Sequence, residues 1–135
     1  MGLDPLNSDS WKVTRRNLDN AISVIRDGRV LVDHGPITMT IDAKYKGEPC
    51  THAAIEGAYE ALELLKNLSA NLLLARKVIE EIKKDNVSDC PLVLKKMIES
   101  VEILEEPDFT PMASVAGTIA DIVKVKVLEA GADYA

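Results

Sequence analysis

The sequence predicts an α+β domain, with strands in the first third of the chain and helices in most of the rest. Apolar and polar residues alternate from Ile37 to Lys44, which is the period of a strand with one buried face. An Asp27-Gly28 pair lies between two short β-branched runs, which indicates a hairpin. From Ile55 onward, apolar residues recur every three or four positions, which indicates helices.

The three predicted strands are separated by turn residues. Residues 21–25 and 30–32 form the predicted hairpin, and Gly28 accepts the positive φ of a tight turn without steric cost. His34-Gly35-Pro36 breaks the second strand. The third strand covers residues 37–43, and residues 46–49 end it.

Helical periodicity begins just after these strands. Thr51 is the expected N-cap of the first helix. Ser69 either caps a second helix or lies within one continuous helix, and two alternatives therefore stay open here. In both, the apolar stripe continues to Ile82 and the polar residues 83–86 close it.

Two further helices complete the prediction. One starts near residues 88–91, with Pro tolerated in its first turn, and runs through Val101. Residues 105–108 form a loop. Thr110-Pro111 then supplies an N-cap and a first-turn Pro for a last helix that ends at Gly131.

Composition and charge limit the class of protein. The 135 residues suit one domain, and we assign residues 1–10 to a mobile leader and 11–135 to that domain. A net charge of −6 and an aromatic content of 4% argue against nucleic-acid binding, which uses basic faces and stacking rings. The chain contains neither a transmembrane run nor a signal peptide, so we expect a cytoplasmic protein without membrane contact.

The segment from Thr110 to Asp121 is the first candidate site. Its small residues let a ligand or another backbone approach closely, and free N–H groups at a helix start attract anions. The alternative is a small-residue helix packed tightly on a sheet. Three alternatives stay open for Asp121: it coordinates a metal, accepts a hydrogen bond from a ligand hydroxyl, or is an ordinary acid on the helix surface. The predicted ligand-binding residues here are Thr110, Pro111, Met112, Ala113, Ser114, Ala116, Gly117, Thr118 and Asp121.

Histidines and cysteines supply the other candidates. His34 and Gly35 lie at a strand break, where a His donates to a substrate or satisfies a loop hydrogen bond. Cys50, His52, His34 and Cys90 are zinc-ligand types, but their spacing lacks the paired ligands of structural zinc sites, and we expect no metal. Both cysteines are expected to be reduced thiols.

Three segments resemble a short branch of the ApbE-like superfamily, whose better-known members are FAD:protein FMN transferases. The segments are DHGPITMTI at residues 33–41, AAIEGA at 53–58 and DFTPMASVAGTIAD at 108–121. The match covers residues 30–135. The resemblance implies a T-fold-like antiparallel sheet covered by helices. It also implies a nucleotide or flavin pocket, for FAD or FMN, at the turn into the last helix.

The chain departs from the pattern of the transferases at two places. Gly117, Ile119 and Ala120 match the transferases' Gly-Gly-Ile-Ala-Lys-Gly stretch, but Asp121 stands where that pattern has Lys. An anion in place of a cation inverts the local field, which argues against phosphate binding at that point. The metal-binding and flavinylation signatures of the transferases are not recognisable elsewhere in the chain, so FMN transferase activity is not expected. Related chains continue after Ala135 with a strand, so we expect missing C-terminal strands and a homo-oligomer formed at an unpaired sheet edge.

These observations lead to one functional expectation and two alternatives. The leading expectation is a binding or accessory protein with a small-molecule or nucleotide pocket at the start of the last helix. The resemblance also suggests sulfide assimilation into homocysteine, as in archaeal members of the branch. The alternatives are a sulfur-transfer enzyme that uses Cys50 or Cys90 as its nucleophile and a structural assembly subunit.

Overall fold

A computed structural model gives the fold of residues 20–35, 37–82, 89–106 and 108–135. Residues 1–19, 36, 83–88 and 107 lie outside these ranges. The predicted leader 1–10, the first residues of the predicted domain 11–135, Pro36, the polar residues 83–86, Ser88 at a predicted helix start and Pro107 of the predicted loop 105–108 are therefore not described structurally. Within the described ranges, the architecture is α+β, with an antiparallel sheet at the start and five α-helices after it.

The main sheet has three antiparallel strands in the order β1-β2-β3. Their bounds are Ile22–Arg26 for β1, Arg29–His34 for β2 and Ile37–Asp42 for β3. The predicted hairpin is confirmed: Arg26 pairs with Arg29 across the turn, and Gly28 has φ +80°. The alternation is confirmed as well, because Ile37, Met39 and Ile41 are half-buried or buried, whereas Thr38 and Thr40 between them are exposed. Val30 pairs with Ile41, and both are buried.

A second, smaller hairpin stands where the sequence predicted only the end of the third strand. It consists of β4, Lys44–Tyr45, and β5, Glu48–Pro49. Its turn uses positive φ values at Lys46 and Gly47, as a two-residue hairpin turn requires. Tyr134 bridges to Lys44 through backbone hydrogen bonds of 2.9 and 3.2 Å, so the C-terminal residues extend this hairpin.

The five helices differ in length. Their bounds are α1 Thr51–Ser69, α2 Leu72–Ala75, α3 Ile79–Ile82, α4 Leu92–Glu102 and α5 Val115–Glu129. Helix α4 starts at Leu92, next to the predicted residues 88–91, but Pro91 is its N-cap and not a first-turn residue as predicted. Within the described ranges, none of the helices combines the length and apolarity that a bilayer crossing requires.

Thr51 does not cap α1, contrary to the prediction. Cys50 occupies the N-cap position, and Thr51 is the first helical residue. The Thr51 hydroxyl instead accepts a hydrogen bond of 2.7 Å from the backbone N–H of Gly28. The Thr51 hydroxyl is therefore hydrogen-bonded to a residue 23 positions away in the sequence. This contact joins the β1–β2 turn to the start of α1.

Both alternatives for Ser69 are wrong. Ser69 is the last residue of α1, and Asn71 is the N-cap of α2. The Asn71 amide donates a hydrogen bond of 2.8 Å to the carbonyl oxygen of Asn67. That side chain thus satisfies a carbonyl that the helix leaves open at its end.

The last helix begins later than predicted. Thr110 and Pro111 are the N-cap and first residue of a 3₁₀ turn, Pro111–Ser114, and α5 starts only at Val115. The predicted end is correct within two residues, because α5 stops at Glu129 and Gly131 has φ +125°.

Helix α1 lies at the centre of the fold because it packs against both the sheet and α5. At Gly57, a β-carbon would overlap Val127 Cγ2 of α5 and come within 3.5 Å of Ile41 Cδ1 of β3. Helix α4 packs against the 3₁₀ turn and α5. Its buried residues, Val93, Leu94, Met97, Ile98 and Val101, join the same core.

Candidate functional site

Two backbone amides at the start of the last helix are already hydrogen-bonded within the chain. The N–H of Ala113 donates to the carbonyl oxygen of Thr110 at 3.0 Å, and the N–H of Val115 donates to that of Met112. The 3₁₀ turn makes these bonds. The expectation of free anion-attracting amides at this point is therefore wrong for both groups.

The small residues of the segment face solvent. Ala113, Ala116, Gly117 and Ala120 are exposed, and an added β-carbon at Gly117 would meet no atom within 4 Å. The alternative prediction, a small-residue helix packed tightly on a sheet, is therefore wrong at Gly117. The close helix approach occurs at Gly57 instead.

Ser114 anchors the start of α5 to α4. Its hydroxyl lies 3.1 Å from two carbonyl oxygens, those of Met97 and Pro111, and can donate to either. Pro111 is buried, and Met112 packs against the core. These three residues of the predicted site are structural, because they hold the 3₁₀ turn against α4.

A groove runs between the solvent-facing sides of α4 and α5. Its volume is about 220 Å³. Residues at helical spacing on each helix face it, since side chains three and four positions apart share one face. The lining residues are Lys96, Glu99 and Ser100 of α4 and Thr118, Asp121, Ile122 and Val125 of α5.

Thr118 supplies the most unusual feature of the groove. It is 6% exposed and is the one buried polar residue of the described chain. No partner within the described ranges forms a hydrogen bond with its hydroxyl. All fully buried side-chain nitrogen and oxygen atoms that the structure describes do have partners, so this oxygen must be open to the groove.

Two of the predicted ligand-binding residues, Thr118 and Asp121, come together in the groove. Thr110 lies at the N-cap of the 3₁₀ turn. His34 and Gly35 are exposed at the β2–β3 turn and do not line the groove. Gly35 has φ +58°, which explains a glycine there.

The residues that α4 contributes to the groove were not among the predicted site residues. Lys96, Glu99 and Ser100 have the spacing of one helix face, and this spacing was the only available signal. The Ser100 hydroxyl donates to the carbonyl oxygen of Lys96 at 2.8 Å, so it already has a partner. The charged groups Lys96 and Glu99 are the new functional candidates.

Cys50 and His52 form a second cluster. Cys50 Sγ lies 3.7 Å from His52 Nδ1, and His52 Nε2 lies 3.1 Å from the carbonyl oxygen of Ala130. A carbonyl only accepts, so Nε2 is the donor in its contact with Ala130, and the Cys50 thiol can donate to Nδ1 when that nitrogen carries no proton. Cys50 and Cys90 are both free thiols. Within the described chain, no three His, Cys, Asp or Glu side chains are grouped to hold a metal ion.

The fold and this groove define a small α+β protein with an open cleft between its last two long helices. The chain belongs to the family described as AbpE bacteria, whose family model matches residues 22–134. This family name is similar to that of the ApbE-like superfamily, which the sequence resembles. No curated protein and no solved structure matches the chain.

Proposed function

We propose that this protein is a small-molecule-binding or accessory protein whose binding site is the α4–α5 groove. The observation that carries the proposal is the Thr118 hydroxyl, which is almost buried and has no hydrogen-bond partner among the described residues. Because this oxygen is open to the groove, it can form its hydrogen bonds with water or with a ligand bound there. Asp121, Glu99 and Lys96 supply charged groups around it.

The size of the groove limits the ligand. The groove has a volume of about 220 Å³. Pockets for drug-sized ligands are larger, roughly 300–1,000 Å³. FAD or FMN, which the resemblance suggests, would therefore place only one part of its structure in this groove.

The proposal also includes the wider setting expected from the sequence. We place the chain in the ApbE-like superfamily with a T-fold-like sheet, as a cytoplasmic homo-oligomer. The metabolic setting suggested by the resemblance is sulfide assimilation. The family match over residues 22–134 and the small antiparallel sheet support this kinship.

Thr118→Val tests the site, because Val keeps the shape of Thr and removes the hydroxyl. A ligand is first selected by thermal shift from FAD, FMN, adenine nucleotides and small amines and acids. We expect Thr118→Val to lose about 0.5–1.5 kcal/mol of binding free energy. Its free energy of unfolding in urea should equal that of the wild type or exceed it.

Thr118→Ser is the matched control. It keeps the hydroxyl and removes a buried methyl group, so it should lose about 1 kcal/mol of stability and keep its affinity. If Thr118→Val unfolds more easily and binds normally, the hydroxyl is structural and the proposal fails. An absence of stabilisation by every compound would also count against it.

A second candidate function is thiol chemistry at Cys50. The specific observation is its contact with His52, whose orientation is fixed by Ala130. A nucleophile, a base and a third group that orients the base form the arrangement that activates a thiol. This is the arrangement that a sulfur-transfer enzyme would need.

The exposure of the two thiols gives a direct test of this candidate. Cys50 is 7% exposed, whereas Cys90 is half-buried. If neither thiol is activated, Cys90 should react faster with iodoacetamide near pH 6, because reagents reach it more easily. Faster labelling of Cys50, lost in His52→Ala, would establish thiol activation instead. Peptide mass spectrometry distinguishes the two sites.

A further inference from the structure

We infer that the α4–α5 groove binds a small organic cation, an amine or a guanidine, in preference to a phosphate-bearing ligand. This inference rests on the proposed function, because it names the ligand class of the same groove. It depends on three features of the lining: its net charge, its hydrogen-bonding groups and the state of the neighbouring amides.

The lining carries more negative than positive charge. Glu99 and Asp121 contribute two carboxylates and Lys96 one ammonium group. In the part of the chain that the structure describes, neither carboxylate has an ion-pair partner. Both are therefore available to a ligand, and the chain's charge of −6 favours the approach of cations.

The polar atoms of the groove match a ligand rich in N–H donors. Carboxylates only accept hydrogen bonds, and the Thr118 hydroxyl has lone pairs that also accept. An ammonium group offers three donors and a guanidinium five, and such charge-assisted bonds are stronger than neutral ones. Ile122 and Val125 supply apolar surface for the methylene groups of an alkyl amine.

The groove and the neighbouring turn offer fewer groups for binding an anion than for binding a cation. The amides of Ala113 and Val115 are used within the 3₁₀ turn, so they do not form an anion site at the start of α5. Lys96 is the one cation among the lining residues, which include two carboxylates. A phosphate would meet net repulsion there.

Isothermal titration with putrescine and agmatine as cations, and with inorganic phosphate and AMP as anions, tests the ligand class at constant ionic strength. We expect the cations to bind weakly, on the order of 1 mM, because the groove is open to solvent. Asp121→Asn or Glu99→Gln should weaken cation binding roughly two- to five-fold. Lys96→Met should strengthen it by a similar factor, because it removes a like charge.

Glu102→Gln is the matched control, since Glu102 is an exposed acid of α4 outside the lining. It changes the net charge as Glu99→Gln does and should leave cation binding unchanged. An equal loss in Glu102→Gln would indicate general charge attraction and would overturn the inference.

The anion titrations distinguish a wrong ligand class from a wrong binding site. If phosphate or AMP binds more tightly than the cations and Lys96→Met weakens that binding, the ligand class is wrong while the groove remains a binding site. If neither the four probes nor the compounds of the thermal-shift screen bind, the inference and the proposed function both fail. Cation binding with the expected order of variants supports both.

Discussion

Replacing Leu94 with Ala should lower the free energy of unfolding by about 2–5 kcal/mol, the cost of a cavity in a packed core. Leu94 is 0% exposed and lies on the buried face of α4, among the residues that hold this helix on the core. Because α4 forms one wall of the groove, the same variant should also weaken ligand binding.

Leu92→Ala is the matched control for this prediction. Leu92 lies two positions earlier in the same helix and is 59% exposed. The same chemical change there should alter stability by no more than about 0.5 kcal/mol. Urea unfolding followed by far-UV circular dichroism measures both variants. Equal losses would mean that α4 does not present the face described above to the core.

Gly57→Ala is expected to destabilise the protein by about 1–3 kcal/mol, the usual cost of overpacking. The new methyl group would overlap Val127 Cγ2 and lie 3.3 Å from Val123 Cγ1, both on α5. In an open helix the same change is favourable, because Ala has a higher helix propensity than Gly. A loss of stability therefore reports on the closeness of α1 and α5.

Gly117→Ala is the matched control for Gly57→Ala and is expected to raise the stability of the protein. Gly117 lies in α5, and an added β-carbon there meets nothing within 4 Å. This variant should gain about 0.5–1 kcal/mol, measured by the same urea unfolding. If Gly117→Ala loses stability while Gly57→Ala does not, the assignment of the close contact to α1 and α5 is wrong.

The local features of the fold could be predicted because local chemistry decides them. Gly28 permits the hairpin turn whatever the rest of the chain does, and the alternation after Ile37 needs only one buried face. The role of Thr51 could not be predicted, since its partner, the amide of Gly28, lies 23 residues away. The 3₁₀ turn likewise depends on α4, to which Ser114 is hydrogen-bonded.

The candidate site was predictable on one side only. Thr118 and Asp121 belong to a segment whose small residues are visible in the sequence. Lys96 and Glu99 belong to another helix, and only the packing of α4 against α5 brings them to the same groove. Sequence periodicity indicates which residues share a helix face, but it does not indicate which two helices meet.

The most direct test of the binding site is a ¹H–¹⁵N correlation spectrum of the whole protein, recorded while the best ligand of the screen is added. The account predicts that the largest amide shift changes fall on residues 96–100 and 118–125, on both sides of the groove. Thr118→Val should reduce these changes. Saturable changes confined to the β2–β3 turn, or to the surroundings of Cys50, would contradict it.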